Sequence, residues 1–511
     1  MLVLLGLVGC LISEQDVIDA MDRDNDGYAS VAFEGGDDCD DDDSSINPGA
    51  FESCLDDIDS DCDGSLCPPQ ALVDMGAVEP LLWGAAGDWV SARQAAADFN
   101  GDGTLDLVLS APAASAGAGR VYFLPGPVSE LSGIGDAVLV IDGNERDSLQ
   151  VRGVGDIDGD GIDEVYLSAM SPEDSQVYIV DETSTADDPF AVTISTPANG
   201  FKKPGDEGEL EEFSLFGGAL QLDADTLLVM APLDHGSGRA YLLDAPIEDI
   251  DLGVEEARAT FSGDNYLDFF GGGTHSTPDF NGDGQADVLL SSPGFDLIDK
   301  DGDLLFYEIG SVSGFLGDTV GDVVSADADL LIYGSFAEAH IEWAADLGDL
   351  NGDGYDDVGV FAHTGPGDFA VFYGPLEGLN LTSDADFKLF GDGSETDTED
   401  FGFESIGLDA NSDGYGDLLI PAPAEGIFLS DVPGGGASYL FLGPITGVLG
   451  PDHADACWRG GIAEGALGSP QVADFDGDKK PDLLMSAPGA SRSGEDHEGA
   501  VYLLSDAFGG L

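Results

Sequence analysis

Residues 98–106 read Asp-Phe-Asn-Gly-Asp-Gly-Thr-Leu-Asp, and residues 107–112 continue with Leu-Val-Leu-Ser-Ala-Pro. In the first stretch, oxygen-bearing side chains occupy positions 1, 3 and 5, glycine occupies position 6, and another acid occupies position 9. Glycine permits a sharp turn, so alternate side chains can converge on a cation that prefers hard oxygen ligands, such as Ca²⁺. An EF-hand would need a bidentate glutamate at position 12, where this chain has Leu109 within an apolar run. The pattern therefore predicts a calcium-binding loop that leads into a β-strand.

This motif recurs along the chain. Four further complete copies begin at Asp156, Asp279, Asp349 and Asp409, and a variant begins at Asp474. A degenerate unit near Asp223 runs into an apolar stretch without a loop. Successive units start 56 to 70 residues apart, which is typical of a repeat architecture.

Six loops supply the candidate calcium ligands. Loop by loop, they are Asp98, Asn100, Asp102 and Asp106; Asp156, Asp158, Asp160 and Glu164; Asp279, Asn281, Asp283 and Asp287; Asp349, Asn351, Asp353 and Asp357; Asp409, Asn411, Asp413 and Asp417; and Asp474, Asp476, Asp478 and Asp482. Asp-Gly and Asn-Gly also form ordinary hairpin turns, but five complete copies with an acid at position 9 favour metal binding. The last loop departs from the pattern, because Lys479 replaces the glycine and adds a positive charge. We expect about six calcium ions in these loops.

Short apolar runs surround each loop. One follows it directly, as at Val288–Ser292, and a second begins a few residues later, often after a glycine such as Gly119. A third run follows, as at Asp329–Tyr333, and a fourth, often carrying Phe-Gly as at Phe270, precedes the next loop. No long segment keeps a helical apolar period. Four strands per unit, repeated seven times, predict an all-β protein with a seven-bladed β-propeller.

The combination of Phe-Gly, an Asp-rich loop and a strand ending in Ala-Pro resembles the FG-GAP repeat of integrin alpha subunits and related bacterial surface proteins. The resemblance covers about residues 75–511; the seventh unit has a weaker loop, and the third keeps only its strands and Ala-Pro. It implies a seven-bladed propeller with calcium bound in the loop between the first two strands of a blade. It also implies that the loop residues above are the ligands and that a partner binds the opposite face. The chain has no Arg-Gly-Asp, so the identity of the partner does not follow.

The two ends of the repeat array predict how the ring closes. The seventh unit ends just after its third strand, and the segment Ala77–Gly84 resembles the outer-strand endings of other units. We therefore expect residues 77–83 to complete blade 7 and leave no open end. The expected organisation is a signal segment at 1–10, an acidic Cys-rich region at 11–70 and the propeller at 71–511.

The first ten residues are apolar and end in Leu-Val-Gly-Cys, which resembles a bacterial lipobox with Cys10 as the lipidated residue. The stretch is too short to span a bilayer. It is also short for a signal peptide and has no basic residue, so we expect the natural start to lie upstream. The alternative is a chance Gly-Cys pair in an apolar segment.

Residues 11–70 resemble the metal-binding Cys/Asp-rich repeat of secreted bacterial proteins. The best ligand set in this region is Asp22, Asp24 and Asp26, so it offers further sites for calcium. Its disulfide candidates are Cys39, Cys54, Cys62 and Cys67. Close cysteines without histidine favour disulfides over zinc, and all three pairings remain open. Such a small region needs bridges and metal for stability.

Composition excludes several classes of protein. The chain has 15 Lys+Arg against 102 Asp+Glu and a net charge of −87, so it lacks the basic surface of a nucleic-acid binder. Its 42% apolar content is too high for a disordered acidic chain. The sequence contains no zincin motif, no Gly-x-Ser-x-Gly and no phosphate loop, so we predict no enzymatic activity.

The favoured function is a calcium-binding propeller at the cell surface that mediates adhesion or binds a protein or glycan. The expected location is outside the cell, as an outer-membrane lipoprotein or a secreted protein, with membrane contact only through the lipid anchor. A secreted carbohydrate-active enzyme is the alternative, because some polysaccharide lyases use calcium-bearing propellers. Fold alone does not decide between these functions.

Overall fold

In the computed structural model, seven β-sheets form the blades of a propeller, which confirms the predicted all-β, seven-bladed fold. The structure describes residues 23, 28, 39, 40, 46, 62, 72–144, 148–170, 175–185, 189–190, 192–196, 218–223, 226–232, 236–244, 251–253, 257–265, 268–273, 277–298, 304–306, 308–335, 339–362, 368–390, 401–402, 404–423, 434–492 and 497–509. Over these ranges, no helix has the length and apolar character needed to cross a membrane.

The chain enters through a short segment and then builds blades 1 to 3. The entry segment carries strands β1 (Leu72–Asp74) and β2 (Leu82–Trp83). Blade 1 contains β3 (Gln94–Ala97), β4 (Asp106–Ala111), β5 (Arg120–Leu124) and β6 (Leu139–Asp142). Blade 2 contains β7 (Gln150–Gly155), β8 (Glu164–Met170), β9 (Ser175–Val180) and β10 (Val192–Thr196). Blade 3 contains β11 (Gly218–Asp223), β12 (Thr226–Ala231), β13 (Arg239–Asp244) and, after β14 (Asp251–Gly253), β15 (Ala259–Ser262).

Blades 4 to 7 follow the same plan. Blade 4 contains β16 (Val288–Ser292), a small hairpin of β17 (Leu297–Ile298) and β18 (Leu304–Phe306), β19 (Ser311–Phe315) and, after β20 (Gly321–Val324), β21 (Leu330–Tyr333). Blade 5 contains β22 (Ile341–Asp346), β23 (Val358–Ala362), β24 (Asp368–Phe372) and, after β25 (Gly378–Leu381), β26 (Phe387–Phe390). Blade 6 contains β27 (Ile406–Leu408), β28 (Asp417–Ala422), β29 (Ala437–Phe441) and, after β30 (Gly447–Leu449), β31 (Ala456–Arg459). Blade 7 contains β32 (Gly468–Ala473), β33 (Asp482–Ala487) and β34 (Ala500–Leu504).

Within the described ranges, the other regular elements are short helical turns. They are Met75–Ala77, Ala114–Gly117, Val128–Glu130, Ile134–Asp136, Ser325–Asp327, Thr382–Asp384 and Pro451–His453. In blade 3 the degenerate unit forms a tight hairpin, with Asp223 paired to Thr226 across the turn. This hairpin has no room for a nine-residue metal loop.

The apolar core lies between the blades. The described residues form seven clusters of buried side chains, one at each interface between neighbouring blades. Successive side chains of a strand point to opposite faces of its sheet. In β4, Leu107 and Leu109 pack at the interface with blade 7, whereas Val108 packs at the interface with blade 2. Both faces of the strand are buried, which explains its continuous apolar sequence.

Several blades are joined to the blade that follows by a short strand, which pairs in parallel with the outer strand of the earlier blade. The strand β20 lies just before the outer strand of blade 4, yet it pairs in parallel with β15, the outer strand of blade 3. The strands β14, β25, β30 and β1 make the same contact with the outer strands of blades 2, 4, 5 and 6. No pattern in the sequence predicted these strands. They cover outer edges that would otherwise present unpaired backbone groups.

The entry segment contacts the last two blades. The strand β2 pairs antiparallel with β34, so that Leu82 lies opposite Val501 and Trp83 opposite Ala500. It therefore occupies the outer position of blade 7, within the stretch 77–83. The preceding strand β1 pairs with the outer strand of blade 6. Residues 72–83 thus connect the beginning of the ring to its end.

The Phe-Gly pairs do not lie in strands as the sequence suggested. Phe270 and Phe401 are completely buried, but each lies in a turn before the innermost position of its blade. The following residues, Gly271 and Gly402, have φ of +82° and +101°. These angles are incompatible with an extended strand and suit glycine. Phe216 and Gly217 lie outside the described residues.

Glycines at the start of third strands permit close contact between blades. Gly310 has φ of +69°, and a Cβ there would lie 2.1 Å from the backbone nitrogen of Ile341 in blade 5. Gly119 and Gly436 form the same type of bridge to the next blade. The close approach of two backbones requires glycine at these positions.

We expect Gly310→Ala to lower the free energy of unfolding by more than about 2 kcal/mol, because alanine adds both backbone strain and a clash with fixed backbone. Gly378 is the matched control, since its φ is +68° and no atom lies within 4 Å of the place that a methyl group would take. Gly378→Ala should cost about 1 kcal/mol from strain alone. Urea unfolding measures both variants, and equal losses would contradict the role assigned to the interblade contact.

Candidate metal centres

Each candidate loop is held in shape by its own first carboxylate. In the loop of blade 1, Asp98 accepts hydrogen bonds from the backbone N–H groups of Asp102 (3.0 Å) and Gly103 (2.8 Å). The side-chain oxygen of Asn100 accepts a further bond from the N–H of Asp102 (2.9 Å). The chain turns around the side chain at position 1, which brings positions 3 and 5 to the same side.

All six loops repeat this geometry. The first acid accepts a hydrogen bond from the N–H at position 6, at 2.7–3.2 Å in every case. In the last loop the donor is Lys479, which adopts φ of +71° as the glycines do. The loss of glycine there strains the turn without changing its form. The loops connect the innermost position of a blade to its second strand, so all six lie on one face of the ring.

The acid at position 9 is buried beneath the loop. The relative exposure is 3% for Glu164 and zero for Asp106, Asp287, Asp357, Asp417 and Asp482. In five loops this carboxylate also accepts an N–H from the connection after the third strand, at 2.6–3.2 Å. It therefore fastens the loop to its own blade, a role that the sequence did not reveal.

Two of these buried carboxylates keep an oxygen without a hydrogen-bond partner. They are Oδ2 of Asp106 and Oε1 of Glu164. Leaving a buried charged oxygen unsatisfied is costly unless a cation binds it. The donor set of carboxylates, amides and buried unsatisfied oxygens fits a hard divalent cation.

Burial also makes the charged form of these acids unfavourable. It raises the pKa of Asp106 and Asp357 to about 6 and the pKa of Glu164 and Asp287 to about 7, although backbone N–H donors oppose the shift. Neighbouring loop carboxylates raise the pKa values further. A bound cation would favour the ionised form of each group.

The structure brings two of the six predicted sets into a tight cluster. Carboxylate oxygens of Asp156, Asp158 and Glu164 lie within 4.8 Å of one another. The same holds for Asp474, Asp476 and Asp482. The position-5 acids, Asp160 and Asp478, are not part of these clusters. Four loops have asparagine at position 3, so they offer fewer acids to such a cluster.

The loop of blade 7 carries an internal cation. Lys480, at position 7, pairs with Asp506 and lies 3.4 Å from a carboxylate oxygen of Asp478. This ammonium partly neutralises the position-5 acid, so a metal would gain less from binding there than in the other loops. Lys479, which drew attention in the sequence, contributes through its backbone, and Lys480 contributes the charge next to the site.

Neighbouring metal loops contact each other. Asp163, at position 8 of the second loop, accepts the backbone N–H of Asp98 in the first loop at 2.9 Å. Asp356, at position 8 of the loop in blade 5, accepts the backbone N–H of Asp279 in the loop of blade 4, also at 2.9 Å. Neither residue was among the predicted site residues, although in both of these loops an acid directly precedes the position-9 acid.

The N-terminal region is described at only a few positions. A disulfide joins Cys39 and Cys62, which selects one pair from the predicted cysteines. Cys10, Cys54, Cys67, Asp22, Asp24 and Asp26 lie outside the described residues.

Comparison with known protein families supports both halves of this description. The FG-GAP repeat family matches residues 95–124 and 467–504, which lie in blades 1 and 7. The Cu-binding MopE family, a metal-binding motif, matches residues 38–66. The chain therefore carries FG-GAP repeats in its propeller and a metal-binding motif near its N-terminus, as the sequence predicted.

Individual relatives share only part of their length with this chain. Integrin alpha-IIb of Mus musculus is 32% identical over 199 residues, covering 36% of this chain and 18% of the integrin. Phosphatidylinositol-glycan-specific phospholipase D of Bos taurus is 32% identical over 175 residues, covering 32% of this chain and 20% of the relative. The chain thus spans no more than a fifth of these relatives.

Among solved structures, rhamnogalacturonan lyase YesW matches with 12% identity and a TM-score of 0.37. The exotype rhamnogalacturonan lyase YesX matches with 13% identity and a TM-score of 0.38. Each match covers 82% of this chain and 72% of the lyase. A similarity this low supports no conclusion about substrate or mechanism.

Proposed function

We propose that this chain is an exported, calcium-binding propeller that holds a protein or glycan partner at the cell surface. The observation that carries the proposal is the set of six acidic loops on one face, with buried carboxylate oxygens beneath them. The FG-GAP repeats and the similarity to integrin alpha-IIb agree with a surface role. The N-terminal metal-binding motif and the disulfide agree with an oxidising compartment.

The residues that would hold calcium are those at positions 1, 3, 5 and 9 of each loop, together with backbone oxygen at position 7. The bound ion would neutralise carboxylates and stabilise the loops as structural elements. The residues of the chain itself shape each loop, because the first acid binds the turn and the ninth acid fastens it to the blade. The opposite face is then available for a partner.

We expect the calcium-loaded protein to capture a defined ligand on arrays of purified glycans and extracellular proteins, and to lose that capture in excess chelator. The physical reason is that metal-free loops loosen the blades that form the binding face. Capture is measured on the same arrays with calcium, with chelator, and with calcium restored. Ligand capture that stays the same after calcium is removed would contradict the proposal. Release of cleaved product from a polysaccharide would favour the enzymatic alternative.

A further inference from the structure

Two hydrogen bonds link the loop of blade 1 to the loop of blade 2. The carboxylate of Asp163, in blade 2, accepts the N–H of Asp98 at 2.9 Å, and the N–H of Asp163 donates to the backbone oxygen of Asp98 at 3.1 Å. Asp98 is the position-1 acid around which the loop of blade 1 turns. The link therefore holds the residue on which the geometry of the preceding loop depends.

An apolar contact accompanies this link. Gly101, at position 4 of the loop in blade 1, lies so close to Ile162 that a Cβ on the glycine would be 2.8 Å from Cδ1 of the isoleucine. Ile162 occupies position 7 of the loop in blade 2, and its N–H donates to the position-5 acid Asp160 at 2.8 Å. The proposed function assigns the backbone oxygen at position 7 to calcium. Ile162 thus belongs to the candidate site of blade 2 and packs against the candidate site of blade 1.

Blades 4 and 5 repeat this arrangement. Asp356, in the loop of blade 5, accepts the N–H of Asp279, the position-1 acid of blade 4, at 2.9 Å. Tyr355, at position 7, lies against Gly282 of blade 4, where a Cβ would be 2.2 Å from Cε1 of the tyrosine ring. The N–H of Tyr355 donates to the position-5 acid of its own loop, Asp353, at 3.1 Å. In both pairs of blades, positions 7 and 8 of one loop therefore contact the loop of the preceding blade.

The other four loops cannot form the carboxylate link to a preceding loop. Their position-8 side chains contain no hydrogen-bond acceptor: these residues are Leu105, Ala286, Gly416 and Pro481. The loops of blades 5 and 6 still touch, because the N–H of Gly416 donates to the backbone oxygen of Leu350 at 3.2 Å. Glycine, however, offers no carboxylate to the position-1 acid Asp349. The six loops therefore comprise two linked pairs, in blades 1 and 2 and in blades 4 and 5, and two further loops outside these pairs.

We propose that Asp163 and Asp356 are positioning residues that couple calcium binding in the two loops of each linked pair. The acids of a loop repel one another and a bound cation neutralises them, so a calcium-loaded loop is better ordered than a metal-free one. Order in the loop of blade 2 fixes Asp163, which then holds Asp98 where the site of blade 1 requires it. Coupling between two binding sites is reciprocal, so each site of a pair favours binding at the other. This inference rests on the proposed function and adds positive cooperativity between neighbouring sites.

The test is a cycle of substitutions at position 5, which is aspartate in all six loops. The full-length variants are Asp102→Asn, Asp160→Asn and the double variant, each melted by calorimetry in about 10 mM calcium and in excess chelator. The quantity compared is the calcium-dependent rise in melting temperature, so effects on the metal-free fold cancel. We expect the double variant to lose less of this rise than the two single variants lose in sum, because each single substitution already weakens both sites.

The control cycle combines Asp102→Asn with Asp413→Asn, the equivalent substitution in blade 6, which does not adjoin blade 1. The losses of these two variants should add, because their loops do not touch. Additive losses in the linked pair as well would overturn the inference, while the losses of the single variants would leave the proposed calcium binding in place. If no single substitution reduces the calcium-dependent rise, both the inference and the calcium proposal fail.

Two substitutions of Asp163 test the link itself, and both remove the same charge. Asp163→Asn keeps an oxygen that can accept the N–H of Asp98, whereas Asp163→Ala has no acceptor. When the cycle of Asp102→Asn and Asp160→Asn is repeated in these two backgrounds, the departure from additivity should persist with asparagine and fall by at least about half with alanine. Because the charge is equal, electrostatic repulsion between neighbouring cations acts alike in both. A departure of the same size in both backgrounds would overturn the role assigned to the carboxylate.

Discussion

Chelation of calcium is expected to lower the melting temperature by about 10 °C or more. A ligand that binds only the folded state stabilises it by mass action, about 1.4 kcal/mol per site when free calcium exceeds Kd about tenfold. Six such sites would contribute about 8 kcal/mol together. Extracellular calcium modules bind at about 10⁻⁴–10⁻³ M, so about 10 mM calcium approaches saturation. The melt is measured by calorimetry with and without chelator, and metal content by elemental analysis.

A single-site variant separates specific binding from a general charge effect. Asp158→Asn keeps the side-chain oxygen that accepts the N–H of Asp160, but removes one charge from one of the two tight carboxylate clusters. We expect it to weaken calcium binding in this loop without abolishing it, because four other loops carry asparagine at the same position. The variant should melt lower than the parent in calcium, with a smaller difference in chelator. Asp322→Asn removes the same charge from an exposed strand and serves as the control. An unchanged melt of the parent in chelator, with no metal bound, would disprove the calcium proposal.

Disruption of the closing strand is expected to be the most damaging single change in the propeller. Leu82 is 1% exposed and packs among Leu107, Leu484 and Val501, at the interface between blades 7 and 1. Leu82→Asp would bury a carboxylate in this apolar cluster and release β2 from β34. We expect it to lower the free energy of unfolding by about 4 kcal/mol or more.

The matched control is Val138→Asp, which makes the same change at a side chain that is 65% exposed on the outer edge of blade 1. This substitution should change stability by no more than about 0.5 kcal/mol. Urea unfolding followed by circular dichroism measures both variants. If Leu82→Asp unfolds at the same urea concentration as the parent, the entry strand does not hold the ring together.

The fold and the candidate metal loops could be predicted from the sequence because the patterns that specify them are local and repeated. The spacing of Asp98, Asn100, Asp102 and Asp106 determines a loop within nine residues, and the following apolar run determines the strand. Repetition then removed the ambiguity that a single Asp-Gly turn would have left. The Phe-Gly pairs were misassigned to strands, because the positive φ of Gly271 and Gly402 depends on packing against a neighbouring blade.

Several features of the candidate sites could not have been predicted in this way. The position-9 acids look alike in sequence, but only the folded chain shows that each is buried and that Asp106 and Glu164 retain an unsatisfied oxygen. Asp163 acts on a loop of the preceding blade, a contact over 65 residues. Local patterns carry no information about which distant backbone such a side chain will meet.

By itself, the sequence determined that this protein is a ring of seven blades, six of which carry an acidic loop, because strand period, turn chemistry and repeat spacing act over short stretches of chain. Only the tertiary structure decided which parts of the ring meet. It pairs β1 and β2 with the last two blades, and it brings Arg93 to Glu404 across the axis. These contacts join residues hundreds of positions apart, and their energy comes from burial that exists only once the ring has closed.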